Sequence, residues 1–194
     1  MDGVIKVYFD QFRQTAVGLP PELKGKVKGK LVSDQALMER WRNWRTGLRW
    51  RTTVESNKHQ AEVELFGALD DCLVLTDKKS NELYIPLDYK TRGSAPISGD
   101  SEKYYQTQLD TYALLLEANG FATADFGYLI YYFPKEVQKQ GKVIFNVQPV
   151  QIGVNAERAK ALLEQAVEVL LGPMPKHHQG CEFCGWHSLA LEFD

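Results

Sequence analysis

Gly67-Ala68-Leu69-Asp70-Asp71-Cys72-Leu73-Val74-Leu75-Thr76, then Asp77-Lys78-Lys79-Ser80-Asn81-Glu82, then Leu83-Tyr84-Ile85-Pro86-Leu87-Asp88-Tyr89-Lys90-Thr91 is the stretch that decides the fold. Residues 67–76 are an apolar run interrupted by two aspartates and read as a strand. Residues 83–91 alternate: Leu83, Ile85, Leu87 and Tyr89 fall on one face, Tyr84, Pro86, Asp88 and Lys90 on the other. The polar link 77–82 is turn-like, so the pair predicts a hairpin. An acid and an ammonium two residues apart share one strand face. Asp70, from the neighbouring strand, can converge on them. Two carboxylates and one lysine are the minimum set for holding a hard divalent cation and a polarised water. Asp71 competes with Asp70 for this role, but strand parity sends the two to opposite faces. From the residues alone, a structural ion pair of Lys90 with Asp88 or Asp70 is the favoured reading.

The sequence G-x-L-D at 67–70, L-D-Y-K-T at 87–91 and Q-L-D-T-Y at 108–112 resembles the PD-(D/E)XK nuclease superfamily. It is most similar to the RecB-type exonuclease branch, which includes the CRISPR-associated spacer-acquisition nucleases. The resemblance covers residues 29–132 best. It implies an α/β fold with a mixed central β-sheet flanked by helices, the restriction-endonuclease-like αβββαβ core. It makes Asp70 and Asp88 metal ligands, adds the backbone carbonyl of Tyr89, and sets Lys90 beside the scissile phosphate. Gln108 and Tyr112, spaced i, i+4 on one helix face, match the Q-x-x-x-Y element that positions substrate. The reaction implied is hydrolysis of a nucleic-acid phosphodiester by metal-activated water. An all-oxygen ligand set calls for Mg2+ or Mn2+. DNA, as single strands or duplex ends, is the expected substrate, an exonuclease is favoured over an endonuclease, and other DNA-processing proteins are expected partners in repair or recombination.

The chain departs from that pattern twice. Many RecB-type members carry a histidine ligand in a G-x-x-x-H context; Gly29-Lys30-Leu31-Val32-Ser33 offers Ser33 there. Several bind a [4Fe-4S] cluster through one early and three late cysteines. Here the late pair is Cys181-x-x-Cys184 with no further late cysteine, so four thiolates are lacking and no cluster is expected. The favoured reading of the tail is a segment that keeps the shape of the cluster-binding one and packs Phe183 and Trp186 on the domain; a zinc site from Cys181, Cys184, His187 and His177 or His178 has suitable ligand types and compact spacing and is the alternative.

The remaining sequence frames this centre. The 194 residues, 44% hydrophobic with mean hydropathy −0.34, read as one soluble domain, 1–194, with a short Cys/His-containing tail at 173–194. No apolar run reaches the length of a membrane span, and no signal-peptide core follows Met1, so the expected location is cytoplasmic. The net charge of −2 conceals an uneven distribution. Residues 23–51 hold nine basic side chains against two acidic ones. Residues 31–50 carry Leu37, Trp41, Trp44 and Leu48 at helical spacing, beside a basic stripe of Arg42, Arg45 and Arg49. With Lys28 and Lys30 from the preceding loop, these are the candidate phosphate-facing residues. The tryptophans read as core rather than as base-stacking platforms. Residues 4–13 fit a strand or a helix. Strands are expected at 52–57, 61–66, 124–133 and 142–150. Helices are expected at 104–119, ended by Gly120, and at 155–171, capped by Asn155. Pro86 deletes one ladder donor and predicts a bulge or a sheet edge.

Overall fold

A computed structural model describes residues 1–56, 59–174, 176, 178 and 180–190 of the 194. The decisive stretch forms the expected hairpin: β4 (Asp71–Thr76) and β5 (Glu82–Thr91) pair antiparallel, Asp71 opposite Leu87 and Thr76 opposite Glu82. The turn is closed by Asp77, whose carboxylate accepts the N–H groups of Lys79 and Asn81. β5 also pairs parallel with β6 (Phe126–Val137), and β6 pairs antiparallel with β7 (Val143–Gly153). A two-residue strand, β1 (Lys30–Leu31), lies on β4. The sheet order is β1-β4-β5-β6-β7, mixed, with β5 at its centre. The parallel β5–β6 step requires a crossover, supplied by α3 (Asp100–Ala118).

Each sheet face is covered. On one, Leu73, Ile85, Leu87, Tyr89, Tyr128 and Ile130 bury against Ile5 and Phe9 of α1 (Asp2–Asp10). Residues 4–13 are therefore mainly helical, and the i, i+4 pair Ile5/Phe9 is the face that docks. On the other face, Cys72 and Leu69 meet Met38 and Trp41 of α2 (Gln35–Arg42) and Leu115 and Leu116 of α3. α4 (Ala156–Leu171) is capped by Asn155, as its sequence predicts, and packs on α3. α5 (Glu182–Ala190) follows near the C-terminus. Among the described residues no helix is long and apolar enough to cross a membrane.

Four expectations are corrected. The helix anticipated over 31–50 is only α2, eight residues long and capped by Asp34. Asn43 leaves helical dihedrals (φ −88°, ψ 117°) and its side chain accepts the N–H of Arg45, a turn that competes with helix continuation. Gly47 then passes so close to Gly67 that a Cβ would stand 2.2 Å from the Gly67 carbonyl oxygen. From Leu48 the chain is strand: β2 (Leu48–Ser56) pairs with β3 (His59–Gly67) as a separate two-stranded sheet. Trp41 is buried as expected, whereas Trp44 is 68% exposed. α3 begins at Asp100, about one turn earlier than expected, after Gly99 at φ +85°. Pro86 marks neither an edge nor a bulge in the β4–β5 ladder. The Tyr84 N–H points to the β6 side, where it meets the Ala122 carbonyl, and Pro86, two residues on, has the same orientation. Its missing donor falls between the Tyr84–Thr123 bridge and the Leu87–Tyr128 pair, where no ladder partner needs it.

Candidate active site

β4 stops at Asp71, so Tyr89 of β5 lacks a strand partner on that side. The Asp70 side chain takes the place of the ladder, with Oδ2 accepting the Tyr89 N–H at 3.2 Å. Extending the register by one step sets Asp70 opposite Asp88, on the same face. The backbone at Tyr89, N–H and C=O together, therefore opens toward Asp70. The structure thus gathers Asp70, Asp88 and the Tyr89 main chain at the end of β4.

Asp88 is only 2% exposed. Its Oδ1 accepts from Gln108 Nε2 at 2.7 Å, with the Tyr112 hydroxyl at 3.4 Å. Gln108 also donates to the Tyr112 hydroxyl at 2.8 Å and accepts from Lys90 Nζ at 3.0 Å. The amide orientation is thereby fixed: its oxygen faces the ammonium and its nitrogen the carboxylate. Lys90 Nζ lies 2.6 Å from Asp88 Oδ2 and 4.2 Å from the centre of the Tyr105 ring. The ammonium is close enough to Oδ2 for an ion pair but is not aligned for a hydrogen bond. Oδ2 is thus a buried oxygen held by an ion pair, with a lone pair to spare. Burial, and after it the charge of Asp70, push the Asp88 carboxyl up to about 6 against the pull of Lys90. Burial, with the Asp88 charge, likewise raises the Tyr112 phenol.

These features suit a hard cation. Two carboxylates face each other, one oxygen lacks a hydrogen bond, and surplus negative charge is resisted only in part by Lys90. Asp70, Asp88 and the Tyr89 carbonyl are the groups that would hold the ion.

Asp71 goes the other way, as parity predicts. It is fully buried, with Oδ2 accepting from Arg13 Nη2 and Arg42 Nη2, each at 2.6 Å, and from the Tyr89 hydroxyl. Arg42 also pairs with Asp10 at 2.9 Å and donates to the Asp70 carbonyl at 2.8 Å. Four elements are therefore tied directly behind the site. The fully satisfied network clamps the backbone that aims Asp70.

The basic residues read as one stripe are dispersed. Arg42 is committed to this network. Arg49 pairs with Glu64, and Arg45 lies over the Trp44 ring. Lys28 lies over Phe126, on the α1 face of the sheet rather than the Asp88 face, and Lys30 donates to the Ala16 carbonyl. The stripe fails because its helix ends at Arg42. Ser33 is exposed between β1 and α2. In the tail, Phe183 and Trp186 are exposed rather than packed on the domain, and the Cys184 N–H points at Cys181 Sγ, 3.4 Å away. His177, part of the possible zinc site, lies outside the described residues. Among the described residues no three His, Cys, Asp or Glu side chains gather as a metal site.

Sequence reasoning missed Lys6. Its Nζ lies 2.8 Å from Asp70 Oδ1 and 2.9 Å from Asp2 Oδ2. Burial alone would lower the pKa of this ammonium, but Asp70 and Asp2 together raise it. The signal was present as the i, i+4 pairs Asp2/Lys6 and Ile5/Phe9, which mark a helix with one apolar and one charged face.

No curated protein and no solved structure matches the chain. The family model of the PD-(D/E)XK nuclease superfamily matches residues 10–189, nearly the whole chain and every element from α2 through β7. With the mixed sheet, the crossover helix and the paired acids at the end of β4, the chain belongs to the PD-(D/E)XK nuclease superfamily.

Proposed function

We propose that this protein is a divalent-metal-dependent nuclease that hydrolyses DNA phosphodiesters. Asp70, Asp88 and the Tyr89 carbonyl hold Mg2+ or Mn2+, and Lys90, Gln108 and Tyr112 complete the site. The observation that supports the reading best is the buried Asp88 carboxylate set opposite Asp70, with its Oδ2 ion-paired to Lys90.

A bound divalent cation supplies Lewis acidity and lowers the pKa of an attacking water. The chain's own groups do the rest. Lys90, a compact ammonium at the mouth of the pair, stabilises the negative charge that accumulates on the scissile phosphate. Gln108 holds Lys90 with one end and Asp88 with the other, so the distance between charge and ligand is fixed before substrate arrives. Tyr112 buttresses that amide. Tyr105 covers the ammonium from the α3 side and limits its swing.

An end-directed mode on single strands or duplex termini, in repair or recombination, follows from the RecB-type resemblance. Incubation of linear and circular DNA with Mg2+, Mn2+ or EDTA tests the reading. Cleavage only with metal, and faster on linear DNA, supports it; no cleavage of single- or double-stranded DNA with either metal overturns it. A second reading, a nucleic-acid-binding module with little catalysis, is favoured by Ser33 standing where many RecB-type members have histidine. Salt-sensitive DNA binding without metal affinity selects it.

A further inference from the structure

The Asp70–Asp88 pair already has two ammonium groups against it. Lys90 serves Asp88, and Lys6 serves Asp70. Asp2 shares Lys6, so three carboxylates face two ammonium groups and one negative charge is in surplus. A divalent cation added to that set turns the surplus into a net positive charge in a part-buried site. Lys6 sits on Asp70 Oδ1, the oxygen that does not accept the Tyr89 N–H, so it competes with a cation for this carboxylate.

Lys6 is built to be in this position. It sits between Ile5 and Phe9, the two buried residues of α1, and Phe9 meets the Tyr89 ring edge-on at 4.7 Å. The helix is thus anchored on the same residue whose main chain borders the site. The Lys6 side chain is 19% exposed, against 62% for Asp2, so it is largely buried beside Asp70. A four-carbon stem on a fixed helix lets Nζ leave Asp70 and stay near the mouth of the pair.

We propose that Lys6 is a second active-site lysine that shares Asp70 with the metal: it holds the carboxylate in the absence of the cation, is displaced by it, and then contacts the substrate phosphate. The proposal rests on the nuclease reading of this site. Released from Asp70, Lys6 balances the phosphodiester and the further charge of its transition state. Metal without DNA must evict an ammonium from its partner. Metal with DNA offers that ammonium a new one, so the two ligands favour each other's binding.

The test compares wild type, Lys6→Met and Asp70→Asn. Methionine keeps the length and apolar stem of lysine and removes its charge. Mn2+ binding is titrated by calorimetry without DNA. DNA binding is then measured with Ca2+ in place of Mg2+ across a range of salt. Lys6→Met is expected to bind Mn2+ roughly threefold to tenfold more tightly than wild type, because the competitor is gone. Its DNA affinity should fall, with a plot of log affinity against log salt shallower by about 1, the signature of one lost phosphate contact. Asp70→Asn should lose Mn2+ binding. Equal or weaker Mn2+ binding by Lys6→Met, or an unchanged salt slope, overturns the role of Lys6 while leaving the metal site intact. Failure of wild type and Lys6→Met alike to bind Mn2+ overturns the nuclease reading and this proposal together.

Discussion

Asp70 and Asp71, adjacent in sequence, grip opposite ends of one residue: Asp70 accepts the main-chain N–H of Tyr89, and Asp71 accepts its phenolic hydroxyl. Strand alternation makes this possible. One carboxylate is left at the open end of the sheet with an oxygen to offer. The other is consumed in a buried, fully paired network. Their substitutions should therefore fail in different ways. Asp70→Asn should keep the fold and lose cleavage. Asp71→Asn leaves Arg13 and Arg42 short of an anionic partner and should lower stability by about 3 kcal/mol. Urea denaturation of both variants distinguishes them, and equal stability loss would contradict the assignment.

Arg42 gives a second prediction. A phosphate-binding arginine and a structural one respond differently to removal. Arg42→Ala should destabilise the protein by about 3 kcal/mol through Asp71 and Asp10. It should leave the salt dependence of DNA binding unchanged once folded protein is compared. A shallower salt slope with wild-type stability would return Arg42 to the DNA surface.

Lys90 carries the catalytic prediction. Lys90→Ala should reduce cleavage by at least about a hundredfold. The change also leaves buried Asp88 without its ammonium, so Tm should fall near neutral pH while circular dichroism keeps the native spectrum, and cleavage is compared below that Tm. Cleavage at the wild-type rate would contradict its role.

Asp88 predicts a dependence of stability on pH. Its carboxyl is raised from 3.8 to about 6. Between those values the folded protein retains a proton that the unfolded chain has released, so stability falls as pH rises through the window. Above it the ionised group costs about 3 kcal/mol. Without added divalent cation, Asp88→Asn should thus melt above wild type near neutral pH, the gap closing toward about pH 4. Mn2+ should raise the Tm of wild type more than that of the variant. A variant less stable than wild type at neutral pH would contradict the charge balance described.

The hairpin, both faces of β5 and the divergence of Asp70 from Asp71 were legible because they follow from a period of two. The Gln108/Tyr112 pair was legible from i, i+4 spacing. The basic stripe was not. A helical pattern over 31–50 ignored Asn43, whose side chain turns the backbone, and Gly47, where the chain passes against Gly67. Local turn chemistry outweighed periodicity there. Pro86 misled for a different reason. Its cost depends on which neighbour its nitrogen faces, and that is fixed by a gap in the β5–β6 ladder far away in sequence. Lys6 stayed hidden because it lies 64 positions before Asp70, and only the docking of Ile5 and Phe9 brings it there.

The claim beneath the whole account is that Asp70 and Asp88 hold one cation between them. Anomalous diffraction from crystals soaked in Mn2+ measures this directly. The account predicts a single strong peak within coordination distance of both carboxylates and the Tyr89 carbonyl, lost in Asp88→Asn. A peak elsewhere, or none between these groups at saturating Mn2+, would contradict it.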